Sequence, residues 1–277
     1  NITLVELSFR INCKIRNEMI VSIITVVKND LRRLKKTVLS LKKIYGHSEF
    51  EHIIIDGKSN DNIYNFVNKL KLINANILFK SSNDFGIYDA MNRGVDLCKG
   101  KFILFLNAGD ELLISRIELV NKLKEYYNVD IDILCFPFQH EFAGKVIYRK
   151  PMKKTRDKLP TSHQAMFFSK KFIKQHKYNL LYKISSDFDL YQAASFAKIH
   201  IITSCNDLTR VESEGVASKN FNLSYMEHVQ IISIHYNGFL RFYLINNIVL
   251  KFCVIKILKC VFSKSIILKI RKVFYHL

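Results

Sequence analysis

Three short acidic loops in this chain carry the residue types that could do chemistry on a phosphorylated ligand. They are Asp56-Gly57-Lys58-Ser59-Asn60-Asp61, the Asn83-Asp84 turn, and Asn107-Ala108-Gly109-Asp110. Each follows an apolar run that reads as a strand. A carboxylate in the first could accept a hydrogen bond from a nucleobase, and one in the last could hold a divalent cation that bridges phosphates. Asp is also favoured in turns and helix caps for local reasons, which is a competing account of Asp61 and Asp84 above all. No GxxxxGK[ST] stretch is present, and no GxGxxG follows the first strand, so neither a P-loop nor a dinucleotide fingerprint is supported.

The elements that must position these loops are legible from periodicity. Met19–Val27 is a β-branched apolar run and the first strand. Asn29 or Asp30 can cap the helix that follows, whose buried stripe is Leu34, Val38 and Leu41 with Leu31 at its start. His52–Ile55 is a second strand. Asn60 or Asp61 can cap the next helix, with Ile63, Phe66, Val67 and Leu70 facing inward, and Ile77–Phe79 is a third strand. In Asn83–Asp110, a helix begins at glycine with Ile87, Ala90, Met91, Gly94, Val95 and Cys98 on one face. A tight turn at Lys99-Gly100 and a buried strand, Phe102–Leu106, come next. The order β-α-β-α-β-α-β implies a parallel, Rossmann-like sheet with right-handed crossovers, in which the three loops project from one edge.

Beyond Asp110 the alternation weakens. Ile117, Val120, Leu123 and Tyr127 predict a helix, Ile131–Phe136 a strand, and Phe138–Tyr148 a hairpin around Gly144. Lys150–Pro160 reads as an exposed basic loop, Lys170–His176 and Asp187–Ala197 as helices, and His200–Ser204 as a last strand.

The chain has 277 residues, 49% apolar and 24% charged, which suits a globular protein and excludes wholesale disorder. Its six cysteines form no CxxC pair and no zinc-ligand spacing, so they read as reduced, mostly buried thiols of a cytosolic protein. The net charge is +19, and after Glu227 there is no Asp or Glu, while Arg241, Lys251, Lys256, Lys259, Lys264, Lys269, Arg271 and Lys272 follow. That tail is rich in Leu, Ile, Val and Phe. An anionic membrane surface is therefore the expected partner, and no nucleic acid is expected. The longest uncharged run, Phe242–Leu250, falls short of the ~20 residues that span a bilayer, and the lysines do not gather on one helical face. A helical pair packed on the domain or at an oligomer interface is the alternative. No secretory signal is apparent ahead of Met19.

The segments VSIITVVKN (21–29), IIIDGKSND (53–61), DFGIYDAMNRG (84–94) and GKFILFLNAGDEL (100–112) closely resemble, in order and spacing, the core of family-two glycosyltransferases with the GT-A fold. The version resembles those that assemble bacterial surface polysaccharides, of colanic-acid-like type. A weaker likeness continues through SHQAMFF (162–168), SSDFDL (185–190) and EGVAS (214–218).

The resemblance implies an α/β, mostly parallel GT-A sheet with flanking helices, and an inverting transfer of a hexosyl-type sugar from a nucleoside-diphosphate sugar, a UDP-sugar first among them. The acceptor it implies is a hydroxyl of a glycan, lipid-linked, at the cytoplasmic membrane face. It assigns Asp56 to the donor base, with Val26 and Asp84 in the same pocket. Asn107 and Asp110 fall at the family's metal loop, where many members have three carboxylates and this chain keeps only Asp110, so the implied cofactor is Mg²⁺ or Mn²⁺ held through Asp110.

The catalytic base then falls at Asp187, with Asp189 its neighbour and competitor; a helix N-cap is the plain alternative for Asp187. His163 and Gln164 are implied to contact acceptor or diphosphate, although His163 also suits a hydrogen-bonded core residue. Glu214-Gly215 reads as a turn rather than a lid over the diphosphate. The expected organisation is an extension of unknown role at 1–18, a glycosyltransferase domain at 19–225, and a basic helical tail at 226–277. A nucleotidyltransferase, or a non-catalytic relative that binds membrane or nucleic acid, is the rival reading.

Overall fold

The computed structural model describes residues 18–142, 145–212 and 220–261. The expected extension, apart from Glu18, and the Glu214-Gly215 turn lie outside them, as does Gly144 of the hairpin. The first half alternates as its periodicity requires: β1 (Val21–Val27), α1 (Leu31–Ser40), β2 (Phe50–Asp56), α2 (Ile63–Ile73), β3 (Ile77–Ser81), α3 (Ile87–Leu97) and β4 (Phe102–Phe105). β1 pairs in parallel with β2 and β4, and β2 in parallel with β3. Every residue of β1, β2 and β4 is buried, because helices cover both faces. β3 runs two residues past the expected Phe79, since its ladder with β2 continues to Asp56 opposite Ser81.

β5 (Glu111–Leu112) and α4 (Arg116–Glu125) follow, then β6 (Ile133–Cys135), the hairpin β7 (Phe138–Phe142) with β8 (Lys145–Arg149), β9 (Met166–Ser169) and α5 (Lys170–Gln175). α6 (Ser186–Ala193), β10 (Ile199–Ile201) and β11 (Thr209–Glu212) lead to two long helices, α7 (Phe221–His235) and α8 (Gly238–Val261). The main sheet has seven strands in the order β10-β6-β9-β4-β1-β2-β3, and β9 runs antiparallel to both its neighbours. A smaller sheet, β5-β11-β7-β8, stands beside the Asn107–Asp110 loop. The fold is thus α/β with a mostly parallel sheet.

Three local expectations are corrected. Asp61 does not cap α2, which starts at Ile63 with Asn62 at the cap position. Its Oδ2 instead accepts from Leu31 N at 2.9 Å, joining Asp30, whose Oδ1 takes Arg33 N, at the start of α1. Ile87 and Ile117, expected on buried helix faces, are exposed; Tyr88 and Leu119 take the inward positions. Cys253 and Cys260 are exposed on α8, unlike the buried Cys98 and Cys135.

The described part of the tail, 226–261, forms a helical pair, and 262–277 lie outside the described residues. α7 crosses residue 226 and buries Ile231 and Ile232 in the same core as Phe188, Leu190 and Tyr191 of α6. α8 buries Leu244 and Ile248 and leaves most of its other apolar side chains in solvent.

Candidate active site

The carboxyl ends of β1 and β4, the starts of α1, α3 and α6, and the end of β11 surround a cleft of 550 Å³. Of the residues singled out from sequence, Val26, Asn107, Asp110, His163, Gln164 and Asp187 line it. Asp56 and Asp84 do not. Asp56 is buried and occupied by its own loop, accepting from Ser59 N at 3.1 Å, from Ser59 Oγ at 2.5 Å and from Ser81 Oγ at 2.6 Å. Asp84 accepts from Gly86 N at 3.1 Å, and its Oδ2 lies where a side chain on residue 57 would stand. Lys28, whose side chain also passes close to Gly57, lines the cleft and so joins this acidic corner to it.

The Asn107–Asp110 loop is bracketed by Thr37, a fully buried hydroxyl on α1. Thr37 Oγ1 donates to Asp110 O at 2.8 Å and accepts from Gly109 N at 2.9 Å. Gly109 has φ +106°, which a side chain resists. Behind the loop, Thr25 Oγ1 donates to Leu106 O at 2.8 Å. Its one proton is thereby used, so His52 Nε2, 2.9 Å away, is the donor to it, and His52 Nδ1 accepts from Tyr45 at 2.9 Å. Burial holds His52 down to about 3, consistent with the neutral tautomer that this chain of bonds demands.

Asp110 is 5% exposed, and its Oδ1 accepts from Glu212 N at 3.2 Å. Burial pushes its carboxyl up to about 7, and the nearby Glu212 carboxylate adds to the rise. Glu212 itself is engaged by Arg33 at 3.1 Å and Lys36 at 3.0 Å, which tie β11 to α1. Asn107 Oδ1 is buried with no hydrogen-bond partner. An orphaned amide oxygen and a desolvated carboxylate on the same loop are two hard ligands that a divalent cation would satisfy. Among the described residues there is no cluster of three or more His, Cys, Asp or Glu. Mg²⁺ often takes only one or two protein carboxylates, with phosphate and water completing its sphere, so the set fits such an ion.

At the other end of the site stands Asp187, the second residue of α6. It is not the helix cap; that position is Ser185, which makes no side-chain capping bond. Phe188 N donates to Asp187 Oδ1 at 2.9 Å and the Tyr88 hydroxyl lies 3.4 Å from the same oxygen, which leaves Oδ2 for the cleft. Burial pushes the Asp187 carboxyl up to about 6. Asp189, the competing candidate, is paired with His235 at 2.8 Å and does not line the cleft.

His163 is stacked on Phe105, with centroids 5.2 Å apart, and bonded to the Tyr178 hydroxyl. Burial lowers it to about 3, so it meets the cleft as a neutral ring and not as a cation for phosphate. Gln164 accepts from Ser162 Oγ at 2.6 Å.

Arg33, Thr37, Tyr88, Lys183 and Glu212 were not foreseen. Thr37 left a trace, being a polar residue three positions after Leu34 on a buried stripe. Tyr88 sits within the GIYDAMN segment, whereas Glu212 and Lys183 carry no local signal.

A family model described as glycosyl transferase family 2 matches residues 22–211. An uncharacterized glycosyltransferase of Mycobacterium tuberculosis is 27% identical over 217 residues, covering 72% of this chain and 77% of the relative. A PGL/p-HBAD biosynthesis glycosyltransferase of Mycobacterium bovis is 30% identical over 150 residues, covering 51% and 56%. Among solved structures, S. aureus TarS 1–349 in complex with UDP superposes with a TM-score of 0.60 at 18% identity. That match covers 77% of this chain and 65% of TarS 1–349; the same fragment is also known with UDP-GlcNAc. The mannosyltransferase PcManGT of Pyrobaculum calidifontis, in complex with GDP-Man and Mn²⁺, has a TM-score of 0.58 at 10% identity over 93% of this chain and 80% of its own.

Proposed function

Because the chain belongs to glycosyl transferase family 2, we propose that it is an inverting transferase that moves a sugar from a nucleoside-diphosphate sugar, foremost a UDP-sugar, to a glycan hydroxyl. The acceptor is lipid-linked, and the product enters surface polysaccharide or glycolipid at the cytoplasmic face of the membrane. One observation carries this reading: Asp187 lines the same cleft as Asn107 and Asp110. The names of the relatives and the ligands of TarS and PcManGT support the donor class and the glycolipid setting.

Asp187 accepts the proton of the acceptor hydroxyl as its oxygen forms the new bond to the anomeric carbon. The bond from that carbon to the diphosphate oxygen breaks on the opposite face, and its electron pair leaves with the nucleotide. Asn107 and Asp110 would hold a divalent cation, which would offset the charge of the diphosphate. Val26 backbone and Lys28 border the donor side, and Asp56 serves the base pocket by fixing the loop through Ser59 and Ser81.

The test is thermal stability with UDP-, GDP-, CMP- and dTDP-linked sugars, with and without Mn²⁺ or Mg²⁺, in wild type and Asp110→Ala. A donor at 100 times its dissociation constant adds about 2.7 kcal/mol. We expect one donor class to stabilise the wild type only with cation, and Asp110→Ala to lose that gain. No stabilisation of the folded wild type by any donor would overturn the reading.

The same proposal lays α8 on an anionic leaflet. Its solvent side carries Phe239, Phe242, Leu250 and Ile257 beside Arg241, Lys251 and Lys256. By length and composition alone Gly238–Leu258 could cross a membrane. Lys251, however, is ion-paired with Asp157 at mid-helix, and Leu244 and Ile248 pack inward, which favours a helix lying in the interface. With about 1 kcal/mol per basic residue near the surface, Arg241→Gln with Lys256→Gln should weaken binding to phosphatidylglycerol vesicles roughly 30-fold. Equal binding of wild type and double variant in vesicle sedimentation would remove α8 from the membrane.

A further inference from the structure

α7 places a carboxylate directly beneath the loop that leads into α6. Glu227 is 5% exposed, and its two oxygens accept three consecutive backbone amides. Lys183 N reaches Oε1 at 2.8 Å, and Ile184 N and Ser185 N reach Oε2 at 3.0 and 2.8 Å. The loop is held from the opposite side by the Tyr88 hydroxyl, which donates to Ile184 O at 2.6 Å. Ser224, one turn before Glu227 on α7, adds a contact from its Oγ to Ser185 Oγ at 3.2 Å. Lys183 and Ile184 line the cleft, and Asp187 follows two residues after Ser185.

The start of α6 has no side-chain cap of its own, so the direction in which the chain enters that helix is set from α7. A carboxylate is costly to bury unless its lone pairs are filled, and three amides fill them here. Removing it would leave three N–H groups without their acceptor, close to the reacting atoms.

We propose that Glu227 is a positioning residue, which from α7 fixes loop 183–185 so that Asp187 meets the acceptor hydroxyl. This inference rests on the reading of Asp187 as the base. It gives the C-terminal helical pair a part in turnover that is separate from membrane attachment.

The groups around Asp187 are Tyr88 from α3, Tyr178 and Lys183 from the loops, His163 across the cleft, and Glu227 from α7, whose neighbour His228 lies tilted against the Phe188 ring. Of these, Glu227 brings negative charge, which disfavours the Asp187 anion. Glu227→Gln is close to isosteric and neutral. We expect faster amide exchange at Lys183–Ser185 and a lower titration midpoint for the Asp187 carboxyl carbon by NMR. UDP binding, read by thermal shift, should be unchanged. Turnover, followed as UDP release from UDP-N-acetylglucosamine or UDP-glucose with an octyl glycoside as acceptor, should fall about 10- to 100-fold.

Glu227→Asp keeps the charge and draws it back by one methylene. It should show the same faster exchange and a smaller loss of turnover, and it serves if the Gln variant does not fold. Faster exchange with unchanged titration and turnover would reduce Glu227 to a structural cap and overturn the inference. Asp187→Asn separates the two readings: if it keeps wild-type turnover, the base assignment fails and this inference with it. If it is inactive while both Glu227 variants behave as wild type, the positioning role alone fails.

Discussion

Asp187→Asn is expected to lower turnover by about 10³-fold, within the range that general-base groups contribute, while donor binding stays intact. Asn retains an oxygen to accept from Phe188 N, so the start of α6 keeps its shape. What is lost is the proton acceptor. In the wild type the acidic limb of the rate profile should lie near the Asp187 midpoint of about 6, because the carboxylate form is the active one and is depleted below that pH. Asn removes this limb.

The stability of the same variant moves the other way. Asp187 titrates higher in the folded chain than in the unfolded one, so between pH 4 and pH 6 the folded state binds more protons. Stability therefore falls as pH rises through that window, and at pH 7 the folded protein carries a desolvated charge that Asn does not. Allowing for water in the cleft, the variant should be more stable at pH 7 by about 1–2 kcal/mol, a gain absent at pH 4. Denaturant melts at the two pH values test this together with initial rates. A variant that is inactive and also less stable at pH 7 would mean that Asp187 holds the fold rather than serving the reaction.

How much of this was legible in the sequence depends on the range of the interaction. β1 to β4 and their helices follow from apolar runs and from three- and four-residue spacing. Asp30 at the head of α1 was one of two capping candidates, and the Asn107–Asp110 loop lies at a strand's carboxyl end as expected. Asp61 shows the limit, because local rules offered Asn60 or Asp61 as the cap, and the helix starts one residue later, after Asn62. Only the approach of the β2–α2 loop to the start of α1 decides that Asp61 serves Leu31 N. The antiparallel direction of β9 is likewise absent from MFFS, an apolar run that would suit either sense.

The site divides in the same way. Asn107, Asp110 and Asp187 stand out by motif, whereas their supports do so weakly or not at all. Thr37 reaches Asp110 O across 73 residues, and Glu227 reaches Lys183 N across 44. No pattern in either segment announces its partner. Asp56 and Asp84 were expected in the donor pocket; they do not line the cleft, and their carboxylates are hydrogen-bonded to Ser59, Ser81 and Gly86 of the loops beside it.

Gly100→Ala should be the most damaging single-methyl change in the fold. Gly100 is not among the glycines at positive φ, so the cost comes from space rather than from backbone conformation. A Cβ there would stand 2.5 Å from Ser22 N and 2.6 Å from Val21 C. Both are backbone atoms of β1, which is clamped between β2 and β4, so neither can yield as a flexible side chain would. The turn is also wired to a buried carboxylate: Glu51 Oε1 accepts from Lys99 N at 2.6 Å and from Ser22 Oγ at 2.5 Å, and Gly100 N donates to Ser22 Oγ at 2.8 Å. Pushing residue 100 outward stretches all of these, and Glu51 has no solvent to turn to, being 3% exposed.

Overpacking of this kind costs about 3 kcal/mol or more when the obstructing atoms are fixed. For a domain of this size that is a fall of roughly 6–12 °C in melting temperature. The effect should reach the cleft, because β4 carries Asn107 and Asp110 at its far end and any shift of its register moves their oxygens. UDP-sugar stabilisation should therefore weaken in Gly100→Ala even at temperatures where the variant is folded. A melting temperature within about 2 °C of wild type would show that β1 and the turn can separate without loss, contrary to the close approach that joins them.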